Sequence, residues 1–279
     1  MNTISNAELK NRINKIRTDC SKMFYHCGQG HYGGAFSCAE IVGTLYFRFM
    51  NVDPRNPHWE ERDRFILSKG HCGPAVFSAL SQLGFFPSEW LERFDDLSSP
   101  LSTHPCMHKV PGIDFSTGSL GHGLSLGVGI ALAGKMDGKT YKTYVVIGDG
   151  ESNEGQIWEA AMASAQFELN NLICFVDRNR LTAGGFTEEI MGVEPFADKW
   201  RSFGWDVNEI DGHDIQAITL AIQAAHISKN KMPKLILANT IKGKGVSFIE
   251  NQTKWHAAHI DDSTHQSIMK ELSVQGELI

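Results

Sequence analysis

Short apolar runs alternate with amphipathic stretches along most of this chain, and the two patterns predict different elements. Brief apolar runs are typical of buried strands, whereas apolar residues spaced i, i+3, i+4 indicate helices. Strands are predicted at 64–67, 144–147, 172–176, 205–210 and 235–240. Helices are predicted at 5–26, 37–50, 73–83, 87–94, 121–135, 153–169, 196–203, 215–228 and 264–273. This alternation predicts an α/β fold, a doubly wound, mostly parallel sheet flanked by helices.

Capping signals and glycines refine the element boundaries. Ser5 with Glu8, and Ser37 with Glu40, match the capping-box pattern that begins a helix. The glycine-rich stretch 28–34 between these two helices is predicted to be a loop. Residues 101–119 show no period, and structureless loops of this length in compact domains tend to be functional.

The stretch 144–185 carries the first chemical signal. One predicted strand ends in Gly148-Asp149-Gly150, and the next strand ends just before Asn179. Because parallel strands end at the same edge of a sheet, Asp149 and Asn179 are expected to converge. Carboxylate and amide oxygens suit Mg²⁺ or Ca²⁺, and the flanking glycines allow backbone N–H groups to approach a phosphate. The alternative is an ordinary turn between strand and helix.

Composition narrows the classes of partner and compartment. The net charge of −6 and the pI near 6.0 argue against a nucleic acid or a polyanionic membrane surface as partner. No run of 18 apolar residues predicts a membrane span, and the polar N-terminus lacks a signal core, so a cytoplasmic protein is expected. Six scattered cysteines without a C-x-x-C pair favour reduced thiols.

Seven motifs in a fixed order carry a family resemblance over about residues 8–260. They are GHYGG, DRFILSKGH, STHP, STGSLGHG, GDGESNEGQIWEA, DRNRL, and TIKGKG followed by WH. With these motifs the chain resembles the N-terminal, diphosphate-binding region of transketolase, a thiamine diphosphate enzyme. The resemblance implies a thiamine diphosphate-binding fold spanning residues 1–279 as a single domain.

The resemblance also implies roles for individual residues. Asp149, Asn179 and the backbone carbonyl of Leu181 correspond to ligands of Mg²⁺, for which Ca²⁺ or Mn²⁺ can substitute. The implied catalytic residues are His31, His71, His104 and His256, together with Glu154 at a subunit interface. The implied contacts to thiamine diphosphate are Gly118, Leu120, Gly148, Asp149, Gly150, Glu151, Asn179, His71, His256 and Lys242. Lys69 is a further candidate charge near the diphosphate.

The residue types suit the implied chemistry. In a ketol transfer the ketose donor loses a hydroxyl proton and the aldose acceptor regains one, and histidines near neutrality can serve both steps. The chain departs from the family at His122, where glutamine is usual, and at Ala257, where glycine is usual. His122 lies near the expected cofactor, so altered substrate contacts are a possible consequence.

The pyrimidine-binding and C-terminal domains of a fused transketolase are not found in this sequence. We therefore expect one subunit of a split transketolase, completed as α₂β₂ by a separate subunit that carries the pyrimidine-binding domain, and acting on sugar phosphates. The alternatives are a subunit of a 2-oxo acid dehydrogenase or deoxyxylulose-phosphate synthase, or a non-catalytic half-site. A nicotinamide-binding domain is disfavoured because no G-x-G-x-x-G follows the first strand.

Overall fold

A computed structural model describes residues 4–277 and contains a five-stranded sheet. Every pair of neighbouring strands in it is parallel, and the spatial order is β1-β2-β3-β5-β4. The strands are β1 Arg64–Leu67, β2 Thr143–Gly148, β3 Leu172–Arg178, β4 Asp206–Asp211 and β5 Lys234–Asn239. All five predicted strands are confirmed, and the order is that of a doubly wound sheet.

Helices cover both faces of the sheet. They are α1 Asn6–His26, α2 Tyr32–Ser37, α3 Ala39–Thr44, α4 Gly73–Leu83, α5 His122–Met136, α6 Gly155–Gln166, α7 Thr187–Ile190, α8 Phe196–Ser202, α9 Ile215–Ile227 and α10 Asp262–Glu277. Short 3₁₀ turns occur at Gly70–Cys72, Ser88–Arg93, Gly150–Asn153 and Thr253–Trp255, and a π-helical turn at Leu45–Phe49. Between residues 4 and 277, no helix combines the length and apolar character needed to cross a membrane.

Successive residues of the central strands belong to two separate cores. Tyr144 and Val146 of β2 pack into the core shared with α1 to α4, whereas Val145 and Ile147 pack into the core shared with α5, α6 and α8. Since side chains alternate between faces along a strand, a strand covered on both sides must be apolar at every position. This is why the strands read as continuous apolar runs.

The predicted helix start at Ser37 is wrong. Helix α2 begins at Tyr32, inside the stretch predicted to be a glycine loop, and Ser37 is its last residue. The Ser37 hydroxyl donates to the Gly34 carbonyl at 3.0 Å and to Asp177 Oδ2 at 2.6 Å instead of capping a helix. A Cβ on Gly34 would lie 2.7 Å from Cys72 Sγ, so the glycine serves close packing in this helix.

The carboxyl ends of the strands meet at one edge of the sheet. Gly148 pairs with Asp177, and Asp177 pairs with Ala238, so the turns after β2, β3 and β5 begin at the same level. The turn after β1 begins one step lower, where the backbone N–H of Ser68 donates to the Val146 carbonyl at 2.9 Å. This edge therefore gathers the polar turns that follow four strands.

Candidate active site

A cavity of about 200 Å³ lies at this edge of the sheet. Every predicted thiamine diphosphate contact except Gly118 lines it, and so do the predicted metal ligands. The lining residues are Gly34, Lys69, His71, Leu120, Gly148, Asp149, Gly150, Glu151, Asn179, Leu181, Thr182, Ala183, Lys242 and His256. The predicted convergence of Asp149 and Asn179 at adjacent strand ends is thus confirmed.

Asp149 is a buried carboxylate held by hydrogen bonds on both oxygens. Its Oδ1 accepts from the backbone N–H of Gly150 at 2.8 Å, and its Oδ2 accepts from the N–H of Arg180 at 2.5 Å and from Arg178 Nη1 at 3.0 Å. Burial, followed by the nearby charge of Asp177, raises the pKa of Asp149. A carboxylate whose charged form is disfavoured by burial gains stability from a bound cation.

Asn179 and Leu181 supply the other oxygens of the predicted metal site. Asn179 Oδ1 accepts from the Leu181 N–H at 3.1 Å, and the Asn179 amide donates to Asp177 Oδ2 at 3.3 Å, which orients its oxygen away from Asp177. The Leu181 carbonyl accepts from the ammonium of Lys242 at 3.0 Å, so this oxygen already binds a cationic group. One carboxylate, one amide and one carbonyl oxygen fit Mg²⁺, which takes few protein ligands beside phosphate oxygens.

Asp177, a residue to which sequence reasoning gave no role, is the buried acid beneath the cavity. It accepts hydrogen bonds from Ser37 Oγ at 2.6 Å, from Thr240 Oγ1 and from the ammonium of Lys69. Lys69 also donates to the Gly34 carbonyl at 3.2 Å. Lys69 therefore lines the cavity but is already paired with Asp177 as a buried ion pair. The sequence feature that could have identified Asp177 is its position at the end of β3.

Lys242 is buried and forms three hydrogen bonds with its ammonium. The partners are the carbonyl oxygens of Leu181 and Thr182, both at 3.0 Å, and Nδ1 of His256 at 2.9 Å. Burial and the charge of Lys69 lower the pKa of Lys242 to about 8. Lys242, which was predicted to contact thiamine diphosphate, thus joins the turn after β3 to the segment that carries His256.

Three of the four predicted catalytic histidines form one cluster. The ring centroid of His31 lies 5.0 Å from that of His71 and 5.6 Å from that of His256, and His71 lies 5.5 Å from His256. Burial lowers the pKa of His31, and burial together with Lys242 lowers the pKa of His256 to about 3. Both imidazoles are therefore neutral near pH 7 and can exchange protons with hydroxyl groups.

His104 lies beside this cluster but outside the cavity. Its ring is near Gly118, where an added Cβ would lie 3.3 Å from the His104 ring, and Gly118 likewise does not line the cavity. Partial desolvation of the ring, followed by the charge of His71, lowers the pKa of His104. The histidine remains solvent-exposed, as a group that contacts a substrate would need to be.

Glu151 and Glu154 occupy different environments. The buried carboxylate of Glu151 accepts from the backbone N–H groups of Gly121 at 2.8 Å and Gly148 at 2.9 Å, and from the Ser68 hydroxyl. Glu151 therefore ties three loops together in the cavity wall. Glu154, just before α6, is exposed and does not line the cavity.

Arg178 is a second residue that sequence reasoning missed. Its guanidinium is buried and contacts Asp149 Oδ2 at 3.0 Å, Thr187 Oγ1 at 2.8 Å, Glu188 Oε1 at 3.0 Å and Glu194 Oε1 at 2.7 Å. It thereby connects the carboxylate at the end of β2 to the segment around α7. A charged residue at the end of a buried strand was the signal that could have drawn attention to it.

Residues 9–277 match the profile of the family described as "Transketolase, thiamine diphosphate binding domain". The chain belongs to this transketolase family. The match covers nearly all of the described residues, and it includes every residue that lines the cavity.

Curated relatives and solved structures agree with the transketolase assignment. The 6-deoxy-6-sulfo-D-fructose transketolase subunit SqwG of Clostridium sp. is 45% identical over 96% of this chain and 98% of the relative. An apulose-4-phosphate transketolase subunit of Phocaeicola vulgatus is 43% identical over 97% of this chain and 95% of the relative. The transketolase structure from Campylobacter jejuni superposes with a TM-score of 0.90 at 28% identity, covering 98% of this chain and 43% of that chain.

These similarities confirm the predicted family, fold and class of function. The chain is a transketolase-type transferase subunit with the thiamine diphosphate-binding fold. The similarities favour this function over the other thiamine diphosphate enzymes considered as alternatives. Thiamine diphosphate is the cofactor of the family, and the cavity at the carboxyl edge of the sheet contains nearly all of the residues predicted to contact it.

Proposed function

We propose that this chain is the diphosphate-binding subunit of a two-subunit transketolase that moves a two-carbon ketol unit from a ketose donor to an aldose acceptor. The observation that carries the proposal is the joining of Asp149, Asn179 and Leu181 in one cavity, next to a cluster of histidines. A hard-oxygen site beside proton-transferring groups suits a phosphate-bearing cofactor and a polyhydroxylated substrate.

Within this proposal Asp149, Asn179 and the Leu181 carbonyl would hold Mg²⁺, or Ca²⁺ or Mn²⁺ in its place. Lys242, which lines the same cavity, would face the diphosphate. When bound, thiamine diphosphate supplies the electron sink that stabilises the carbanion formed as the carbon–carbon bond breaks. The protein's own part is to hold the diphosphate end rigidly, and the three hydrogen bonds to Asp149 serve that purpose.

The histidines would move protons at the substrate. Neutral His31 and His104 can accept the hydroxyl proton that a ketose loses during bond cleavage and can return a proton to the aldose acceptor. His71 and His256 line the cavity and neighbour His31, where they can hydrogen-bond both cofactor and substrate. This arrangement divides the site into a diphosphate end and a proton-transfer end.

The proposal includes a separate partner. Two relatives that are aligned over nearly their whole length are named as subunits, which supports a separate chain carrying the pyrimidine-binding domain. We propose one domain over residues 1–279, an α₂β₂ assembly with exposed Glu154 at an interface, sugar phosphate substrates and a cytoplasmic location. The substrates in the two relatives' names differ from each other, so both belong in an assay panel.

The test is to co-purify the chain with the product of a neighbouring transketolase-like gene and to assay ketol transfer with thiamine diphosphate and Mg²⁺. The panel contains 6-deoxy-6-sulfo-D-fructose, apulose 4-phosphate and common ketose phosphates. We expect transfer only when both subunits are present, and we expect Asp149→Ala to abolish Mg²⁺-dependent cofactor binding. Full activity of the chain alone would overturn the split-enzyme proposal, and CO₂ release from pyruvate would favour the 2-oxo acid class.

A further inference from the structure

The ammonium of Lys242 bonds to the same carbonyl oxygen that the metal site requires. We propose that Lys242 is an internal cation that occupies the carbonyl side of this site, and that a divalent cation displaces it toward the diphosphate. This inference rests on the proposed metal site formed by Asp149, Asn179 and Leu181. The inference goes beyond the metal site because it gives Lys242 a role in the absence of cofactor, in which its ammonium competes with the metal for the Leu181 oxygen.

The geometry shows that Lys242 is aimed at this position by packing. Its stem lies against helix α2, where a Cβ on Gly33 would lie 2.8 Å from Lys242 Cγ. The Gly243 N–H donates to the Gly33 carbonyl at 2.9 Å, and the Lys242 carbonyl accepts from the Asn251 N–H at 2.9 Å, so both polar groups of the peptide that follows Lys242 are held. The side chain is buried, and its ammonium ends between the Leu181 and Thr182 carbonyls.

A metal ion and this ammonium compete for the Leu181 oxygen. Mg²⁺ approaches its oxygen ligands to about 2.0–2.1 Å, whereas the Lys242 ammonium already lies 3.0 Å from the same oxygen. Two cations bound to one oxygen in a buried cavity repel each other strongly. Metal binding therefore drives the ammonium away from the carbonyl pair, because repulsion between the two cations makes its place there less favourable.

An anionic ligand gives the displaced ammonium a new partner. The neighbouring acids are already engaged, Asp177 by Lys69 and Asp149 by Arg178. A diphosphate in the cavity would present oxygens to Lys242 and to the metal together. Metal and diphosphate should therefore bind with positive coupling through Lys242, and the coupling is reciprocal.

The same movement changes the environment of His256. An ammonium has only donors, so its 2.9 Å contact makes His256 Nδ1 the acceptor and places the ring proton on Nε2. When Lys242 leaves, Nδ1 loses this donor. Metal binding therefore changes the hydrogen bonding of His256, and this change can be measured at the imidazole ring.

The experiment measures Mn²⁺ binding to the full chain by electron paramagnetic resonance, without and with inorganic pyrophosphate. Lys242→Met retains a long stem and removes the charge, and Lys242→Gln is a second neutral variant that guards against a folding defect in the first. We expect both variants to bind Mn²⁺ alone about fivefold or more tightly than the unmodified chain, and to lose most of the enhancement by pyrophosphate.

Lys244→Met is the matched control. Lys244 lies in the same turn but points to Glu250 at 3.5 Å and is partly exposed, so its removal should leave both affinities unchanged. As a second readout, the ¹⁵N shifts of His256 should change when metal and pyrophosphate bind to the unmodified chain. In Lys242→Met, which lacks the ammonium from the outset, they should change little.

Asp149→Asn separates failure of this inference from failure of the metal site. If Asp149→Asn leaves Mn²⁺ binding unaltered, the proposed site itself is wrong, and the inference falls with it. If Asp149→Asn abolishes binding while both Lys242 variants bind Mn²⁺ no more tightly than the unmodified chain, the site stands and the competitive role of Lys242 is overturned.

Discussion

The guanidinium of Arg178 donates to Asp149 Oδ2 over 3.0 Å, so the cation at the end of β3 holds the carboxylate at the end of β2. The other guanidinium nitrogen reaches Glu188 and Glu194, which lie on the segment that follows the proposed metal ligands. One buried side chain thus fixes both the orientation of Asp149 and the position of that segment.

Replacing Arg178 by Met should therefore affect stability and local order together. Removing one partner of a buried ion pair costs about 3–5 kcal/mol of unfolding free energy, because the remaining carboxylate is left uncompensated. Urea unfolding should show this loss, and hydrogen exchange should speed up at 187–194 in particular. Arg201→Met, which removes an exposed pair with Asp198, should change stability by less than about 1 kcal/mol. Equal losses in the two variants would contradict the role of Arg178.

His104 should affect turnover without affecting cofactor affinity. It lies beside the histidine cluster but outside the cavity that contains the metal ligands, so His104→Asn should reduce ketol-transfer kcat/KM by about 100-fold or more. Thiamine diphosphate affinity, measured by fluorescence titration of the two-subunit complex, should be unchanged. His26→Asn is the control, because that exposed histidine pairs with Asp96 and does not line the cavity. A weakened cofactor affinity in His104→Asn would place this histidine in the binding site instead.

Glu40 gives the fold a predictable dependence on pH. Burial raises the pKa of Glu40, but the charges of Arg17 and His213 outweigh it, and the pKa is lowered overall. A carboxyl with a lowered pKa stabilises the folded state above its unfolded pKa of about 4.3, and this contribution disappears as pH falls through the folded value. Glu40→Gln should therefore cost about 3–5 kcal/mol at pH 7, since it leaves Arg17 buried without its partner.

The difference between Glu40→Gln and the unmodified chain should begin to shrink as pH falls below the unfolded pKa of about 4.3, and it should be smallest below the lowered folded pKa, where both carry an uncharged group at this position. Urea unfolding between pH 3 and pH 8 measures it. Glu8→Gln, which alters an exposed pair with Arg12, should differ by at most about 0.3–0.5 kcal/mol across this pH range. A Glu40→Gln deficit that is constant with pH would show that the ion pair is not its source.

Two helical glycines should respond in opposite directions to alanine. A Cβ on Gly34 would lie 2.7 Å from Cys72 Sγ and 3.5 Å from His71 Nε2, so Gly34→Ala should overpack this region and cost about 1–3 kcal/mol. Gly129, inside α5, has no neighbour within 4 Å of an added Cβ, and Gly129→Ala should stabilise the chain by about 0.5–1 kcal/mol. Thermal melting distinguishes the two signs, and a stabilising Gly34→Ala would show that α2 tolerates the added methyl.

The five strands and the meeting of Asp149 with Asn179 could be predicted from the sequence. Both follow from local rules: a strand buried on two faces must be apolar throughout, and parallel strands end at one edge of the sheet. The motif order likewise identified the family and most of the residues that line the cavity.

Tertiary packing decided what those residues bond to. Lys242 reaches a carbonyl 61 positions away, and Ser37, predicted as a helix cap, donates to an acid 140 positions away. Glu151, predicted as a cofactor contact, uses its carboxylate to join three loops. Contacts across such distances depend on how whole elements pack, and a local pattern contains no information about that packing. The sequence therefore located the cavity, whereas the packed fold determined which groups hold its ligands in place.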